Sequence, residues 1–407
     1  MLIVHCDKVT IVINISQINI VYCKVRYVFL LNLLNNKMEH IKCIFNKTGL
    51  FMKVKTFYQF SIVTLLFSSF STVCLLAQPR NADSLNKSFR LFDDEKILEI
   101  SLRFDLTTYF RTKPRDSYLG ANITIHLDPK DSISRDIRLK TRGIFRNRYC
   151  TFAPIELNIK KAKFGYSDLN KISKLKLVPQ CSAGKEKEDY VLREYLAYKL
   201  FNVLTDTSFR VRLLSINYID TQKKRKPLRQ YGFFIEPLEM VASRTHCIQV
   251  KSRTINQKDI VARIMDRVAL FNYMIGNYDW SVPGQHNIAV IKSLNFEPNG
   301  LGIAIPHDFD WTGLVNPTYA VPTEEIGTEN VRERLFEGVC RSKEVYNKEL
   351  SLFLEKKDEF YRVINEFPYL NERVKKDITG YLDGFFKQLA GNRDIILYNL
   401  INTCKKF

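Results

Sequence analysis

The sequence predicts an α+β protein of two lobes, the first rich in strands and the second mainly helical. Three observations carry this. Segments of alternating apolar and polar residues fill the stretch from about Ile97 to Val178. Apolar residues recur at helical spacing through most of the chain after Glu344. The 407 residues are enough for two such cores once a targeting segment is removed. With 45% hydrophobic and 26% charged residues, the chain falls outside the disordered and collagen-like classes. The expected divisions are 1–77, a leader; 78–240, the β-rich lobe; and 241–407, the helical lobe.

The leader is read first. Met52 opens MKVKTFYQFSIVTLLFSSFSTVCLLAQP, with two lysines, an apolar stretch from Phe60 to Leu76, and Ala77 before Gln78. This has the anatomy of a secretory signal peptide over 52–77, cleaved after Ala77. It implies export to the periplasm, the cell surface or the medium, with association to the envelope open. The residues before Met52 show no clear pattern, so Met52 or Met38 is expected to be the true start. A membrane anchor is the alternative, and a lipid anchor at Cys74 is disfavoured because STVC lacks the usual small residues. Without residues 1–77 the chain carries 54 basic against 41 acidic side chains. That excess suits a polyanionic partner or plain solubility.

In the first lobe, ILEISLRF, NITIHL, DIRLKTR and IELNIKK read as strands broken by the DPKD and GIFRNR turns. Five cysteines follow the leader, an odd and sparse set without a CxxC pair, which excludes a disulfide scaffold and a zinc site. Cys150 and Cys181 flank neighbouring strands and are expected to pair, a loop of about 30 residues worth roughly 3–4 kcal/mol. A helix follows in DYVLREYLAYKLFNVL, capped by Asp189, with Leu192, Leu196, Leu200 and Val203 on its apolar face. Arg193 and Glu194 have a plain alternative reading as its wet face. RVRLLSINYI and YGFFIEPL form two more strands around the basic tip QKKRKPLR, read as a solvated turn with no nucleic-acid partner. In the second lobe, a helix carrying Ile260, Ile264, Val268, Phe271 and Ile275 stops at Gly276.

The chemistry concentrates between Asn277 and Leu314. NIAVIKS (287–293) and LGIAIPH (301–307) read as strands joined by LNFEPNG, with the bend near Glu297. An antiparallel hairpin of these brings Asn287 opposite the His307–Asp308 end, about 5 Å across the ladder. One amide and one carboxylate oxygen at that point suit a hard divalent cation. Asp279 lies just past the preceding helix and can bend toward the same place. The order of a loop Asp, an Asn, a hairpin and an Asp followed by Phe is the one protein kinases use. The nearby histidines, His286 and His307, are expected to act as hydrogen-bonding partners, and Trp280 and Trp311 to pack beneath the site.

These residues, with RLKTRGIFRNRYCTFAPIEL, LKLVPQC, LREYLAYKLFN, YGFFIE, NYMIGNYDW and HDFDWTGL, resemble in sequence order the CotH-like (spore-coat protein H type) atypical kinases. The form is that of exported Bacteroidetes-type members, and the resemblance runs from about Arg138 to Arg341. It implies an atypical protein-kinase-like two-lobed fold that uses ATP with Mg²⁺ or Mn²⁺ to phosphorylate a protein or glycan hydroxyl. It implies Asp279 as the catalytic aspartate, Asn287 and Asp308 as metal ligands, and Asp310 as an assisting ligand. Arg142 and Arg146 would sit over the phosphates, around Gly143. Lys176 would contact the α- and β-phosphates with Glu194 as its helix partner, and Glu236 would lie near the nucleotide base.

The chain departs from ordinary kinases in three ways. Seven residues separate Asp279 from Asn287, Asp310 replaces the DFG glycine, and there is no GxGxxG or Walker loop. Lys160 and Lys161 are alternatives to Lys176. Three other readings stay open: nucleotidyl transfer, a catalytically inactive kinase-fold scaffold of the envelope, and a metal-dependent phosphodiesterase or nuclease. Arg142 and Arg146 have a further reading, as exposed edge-strand charges.

Overall fold

The computed structural model describes residues 2–6, 9–13, 88–252, 254–294, 300–391 and 393–406. The signal segment 52–77 and the hairpin bend near Glu297 lie outside these residues. The chain divides into two units, Met1–Arg80 and Asn81–Phe407. In the first, β1 (Leu2–Cys6) pairs antiparallel with β2 (Val9–Ile13).

The second unit is mixed α+β, β-rich and then helical. Its strands are β3 (Leu98–Phe104), β4 (Leu119–His126), β5 (Ser132–Thr141), β6 (Ile155–Asn158), β7 (Lys174–Pro179), β8 (Val211–Asp220) and β9 (Leu228–Ile235). They close into a barrel in the order β3-β4-β5-β6-β7-β9-β8. Every pairing is antiparallel except the closing one, where Leu98 of β3 lies parallel to Leu214 of β8. The closure joins strands more than a hundred residues apart and was not visible in local periodicity. It leaves the ring no free strand edge. Alternation puts Leu98, Ile100, Leu102 and Phe104 into the core, while in β7 Leu175 and Leu177 face in and Lys174 and Lys176 face out.

Short helices interrupt the barrel at α1 (Leu106–Thr112) and α2 (Phe145–Tyr149). The crossover helix α3 spans Lys185–Leu204. It begins a turn before the expected Asp189 cap, directly after Gly184, whose φ of 115° glycine alone adopts easily. Glu186 and Glu188 then occupy its first turn, where the helix dipole favours acids. Leu192, Leu196 and Leu200 are buried as expected, but so are all residues from Tyr190 to Tyr198. The expected wet face for Arg193 and Glu194 is therefore absent: Arg193 bonds Asp377 at 2.6 Å and the Leu314 carbonyl at 3.1 Å.

Beyond β9 come α4 (Leu238–Arg244), α5 (Ala262–Ile275) and a three-stranded sheet of β10 (Cys247–Gln249), β11 (Ile288–Ser293) and β12 (Ile303–Pro306). Helix α5 ends where expected, with Gly276 in the left-handed region at φ 67°. Four helices, α6 (Lys343–Glu355), α7 (Lys357–Asn365), α8 (Glu372–Ala390) and α9 (Arg393–Thr403), complete the chain. Helix α3 shares one apolar core with α5 and the C-terminal helices. Among the described residues no helix is long and apolar enough to cross a membrane.

Cys150 and Cys181 form a disulfide, as expected. They meet because β6 and β7 are antiparallel neighbours, with Ile155 opposite Leu177. A second bridge, Cys340–Cys404, ties α9 to the segment before α6 and was not foreseen. Cys247 is buried and free. Replacing both Cys150 and Cys181 by Ser is expected to lower stability by about 2–5 kcal/mol, read from urea unfolding. A change below about 1 kcal/mol would mean that the cross-link constrains little.

Candidate active site

The site grows from the ends of β11 and β12. Ile288 pairs with Pro306, and the His307 N–H donates to the Asn287 carbonyl at 2.9 Å. Asn287 therefore stands across from His307 and next to Asp308, as the hairpin reading required. Both Asn287 (φ 52°) and Asp308 (φ 61°) leave the ladder in the left-handed region, which Asn and Asp tolerate best among non-glycine residues. Such conformations persist only where surroundings hold them, and they concentrate at functional sites. Here the Asp308 N–H is held by the Tyr198 hydroxyl oxygen at 2.8 Å.

The loop after α5 supplies Asp279. Its N–H donates to the Asn277 side chain at 3.0 Å, and Asn277 is anchored in turn on Asn272. Downstream of Asp310, the Gly313 N–H donates to the Gly276 carbonyl and the Leu314 N–H to the Ile275 carbonyl, both at 3.0 Å. The two acidic segments are thus tied along their backbones. The Asn287 amide donates to the Asp279 carbonyl at 2.7 Å and to its carboxylate at 3.0 Å. These bonds use the nitrogen of the amide and leave its oxygen for other ligands.

Phe309 is fully buried against Tyr198 and Phe271, so the two acids beside it are held at the base of the hairpin. Carboxylate oxygens of Asp308, Asp310 and Glu194 lie within 4.8 Å of one another. Arg146 reaches the same cluster, 2.9 Å from Glu194 and 3.8 Å from Asp310. Tyr319 donates its hydroxyl to Asp310 at 3.0 Å. Burial raises the pKa of Asp310 and of Glu194, because three acids share one dry corner with one guanidinium. Burial also works against Asp308, but Arg142 and Arg146, with Lys176 beside them, outweigh it and hold its carboxyl below the usual range.

Two cations face Asp308 without being spent. Arg142 follows β5 directly before Gly143 (φ 77°), and its buried Nε has no hydrogen-bond partner. Lys176 projects from the outer side of β7, and its pKa is lowered by the surrounding protein and then by Arg142. Among the described residues neither has a carboxylate within 4.0 Å, so both are available to an anion. Lys160 and Lys161 instead lie exposed in the turn after β6 and are not among the charges acting on Asp308.

Three expectations change. Glu194 pairs with Arg146 and not with Lys176, because α2 is pinned beside α3 by the Cys150–Cys181 bridge. Arg146 is accordingly an internal counter-ion, bonded also to the Pro179 carbonyl. Neither it nor Arg142 is an exposed strand charge. Glu236 takes a bidentate pair from Arg244, with both contacts at 2.9 Å, and the Arg210 N–H at 3.1 Å, which occupies its carboxylate. Of the residues that sequence left aside, Tyr198 and Tyr319 matter most, and the place of Glu194 beside Asp308 and Asp310 was not expected. The signal for Glu194 was slight: it sits among the apolar residues Val191, Leu192, Leu196 and Ala197, and an acid buried there needs a partner.

His286 is a hydrogen-bonding partner as expected, with Nε2 2.8 Å from Asp279. That bond raises its pKa, partly offset by burial. The ion pair then contributes stability below the ordinary histidine value, and the contribution fades as pH rises through the raised one. In NMR titration the His286 midpoint should lie above about 6.5 and fall in Asp279→Asn. An unchanged midpoint in that variant would place the cause elsewhere. His307 moves the opposite way, to about 3, through burial and then Lys176, so it stays neutral against Phe209. Trp280 is buried, whereas Trp311 is only partly so.

No protein-family model matches this sequence, and no curated protein matches it. Among solved structures, the crystal structure of a Helicobacter pylori proinflammatory kinase, CtkA, aligns with 70% of this chain and 95% of that chain. The identity is 10% and the TM-score 0.34.

Proposed function

We propose that the protein is an exported, kinase-like phosphotransferase that uses ATP with Mg²⁺ or Mn²⁺ and phosphorylates a protein or glycan hydroxyl. Its two lobes would meet near residue 240. The observation that carries this reading is the Asp279–Asn287 pair placed beside the Glu194–Asp308–Asp310 cluster, with Arg142 and Lys176 unspent alongside. The cluster fits a hard divalent cation: its donors are carboxylate oxygens, and Glu194 Oε1 is buried without any hydrogen-bond partner. Asp308, Asp310 and Glu194 would hold the ion, with the Asn287 amide oxygen beside them. When bound, the ion would neutralise phosphate charge and polarise the transferred group.

Arg142 and Lys176 would bind phosphate oxygens, the guanidinium through its unpaired Nε. Asp279 would take the proton of the acceptor hydroxyl as its oxygen bonds to the γ-phosphorus. The bond from that phosphorus to the β–γ bridging oxygen breaks, and ADP leaves. Asn287 would fix the Asp279 carboxylate for that transfer, and the positioned base would contribute about 10²–10⁴ in rate. Incubation with ATP and Mn²⁺ followed by intact-mass measurement tests the reaction. Addition of phosphate supports phosphoryl transfer, addition of AMP replaces it with nucleotidyl transfer, and no adduct or ATP turnover removes the enzyme reading.

One observation favours a second reading, a scaffold without catalysis. Arg146 already supplies positive charge to Glu194 and Asp310, which lessens the need for a cation. A two-metal phosphodiesterase gains no such support, since the described residues hold one acidic cluster.

A further inference from the structure

Next to the carboxylate cluster lies an aromatic surface that the chemistry above does not use. Phe145 and Tyr149, one turn apart on α2, stack at 5.5 Å and remain 42% and 49% exposed. Phe145 meets Trp311 edge-on at 5.3 Å, and Tyr149 meets Tyr319 at 5.1 Å. Tyr319 is the residue bonded to Asp310, so the patch is continuous with the site. Ile144, at the start of α2, is 63% exposed. Exposed apolar side chains gathered in this way mark interaction surfaces.

We propose that Ile144, Phe145 and Tyr149, with Trp311 beside them and Arg148 at the rim, form the acceptor-docking surface of the site. Its occupant is an acidic polypeptide segment with an aliphatic or aromatic anchor near its acceptor hydroxyl. The assignment rests on the phosphotransferase reading. Charge selects the sign of the partner: the stretch RGIFRNRY (142–149) holds no acid, and Arg148 is its exposed cation, Arg146 being buried on Glu194. Arg148 is exposed with no carboxylate within 4.0 Å among the described residues, and Lys113 reaches its carbonyl at 3.4 Å. Side-chain chemistry selects the class. Aromatic rings with arginine are the residues that dominate polypeptide interfaces. Ile144 offers a sugar neither a hydrogen bond nor a π-face, whereas it gains by covering an apolar side chain.

The test uses an arrayed library of Ser- and Thr-centred peptides, with acidic and apolar residues placed at each flanking position, probed with the protein in the absence of nucleotide. The expected result is selection of Asp or Glu together with Leu, Ile or Phe. Binding of a selected peptide, followed by fluorescence anisotropy, should weaken about tenfold or more in both Ile144→Asp and Arg148→Glu, and should weaken with added salt. Stabilisation by ATP and Mn²⁺ should be unchanged in these two variants. No selection, selection that survives both substitutions, or binding only of an acidic oligosaccharide used as control would overturn the proposal. Loss of nucleotide stabilisation in the wild type with peptide selection intact would instead strike the phosphotransferase reading, so the two failures are distinguishable.

Discussion

ATP with Mn²⁺ is expected to raise the melting temperature of the wild-type protein, and Asp308→Asn is expected to abolish that shift. Ligand at about a hundred times its dissociation constant stabilises by about 2.7 kcal/mol. For domains of this scale that corresponds to several degrees in melting temperature, at about 2–4 °C per kcal/mol. The substitution keeps the shape and the Tyr198 contact to the backbone N–H, but removes the one acid of the cluster held firmly ionised by its surroundings. An asparagine carries no charge to balance a divalent ion, so the shift should vanish while the unliganded protein melts close to the wild type. Equal shifts in both proteins would mean that Asp308 does not support nucleotide and metal.

Arg146→Met is expected to be the most damaging single change to the fold. Arg146 is buried, and its removal leaves Glu194 and Asp310 facing each other with no counter-charge. Breaking a buried pair from one side costs about 3–5 kcal/mol, because the abandoned charge stays desolvated. The remaining acids can relieve this by holding protons, so the loss should be larger at neutral pH than at pH 5. Adding Glu194→Gln to Arg146→Met should restore part of the loss, since it removes the stranded carboxylate. Urea unfolding of the two variants at both pH values is the measurement. A loss below about 1 kcal/mol with no pH dependence would show that the guanidinium is not the counter-ion of this corner.

How much of this was legible in the sequence depended on distance along the chain. The stop of α5 at Gly276 needs only a local left-handed residue, and it was read correctly. Asn287 opposite His307 follows from one hairpin and its register, and it too was read correctly. Cys150 and Cys181 could be paired because the strands beside them are neighbours. The sequence says least where several partners compete for one group. Arg146 was assigned to phosphate, yet it is 48 residues from the Glu194 it neutralises, and no periodicity records that choice. Glu236 ended a strand in the expected place, but Arg244, one helix later, claims its carboxylate. The burial of Glu194 is not visible in an amphipathic reading of α3, because the fold covers the run Tyr190–Tyr198 on every side. Barrel closure by β3 and β8, and the Cys340–Cys404 bridge, join segments too far apart for any local pattern to reveal.

On the proposed function, Asp308, Asp310 and Glu194 would hold a divalent cation while Arg142 and Lys176 would hold the phosphates of ATP. Electron paramagnetic resonance of Mn²⁺ titrated with the protein, with and without ATP, tests it most directly. Loss of the free-ion signal upon protein addition is expected, strengthened by ATP in the wild type, weakened at the nucleotide step in Lys176→Ala, and absent in Asp308→Asn. An Mn²⁺ signal that ignores the protein whether or not ATP is present would contradict it.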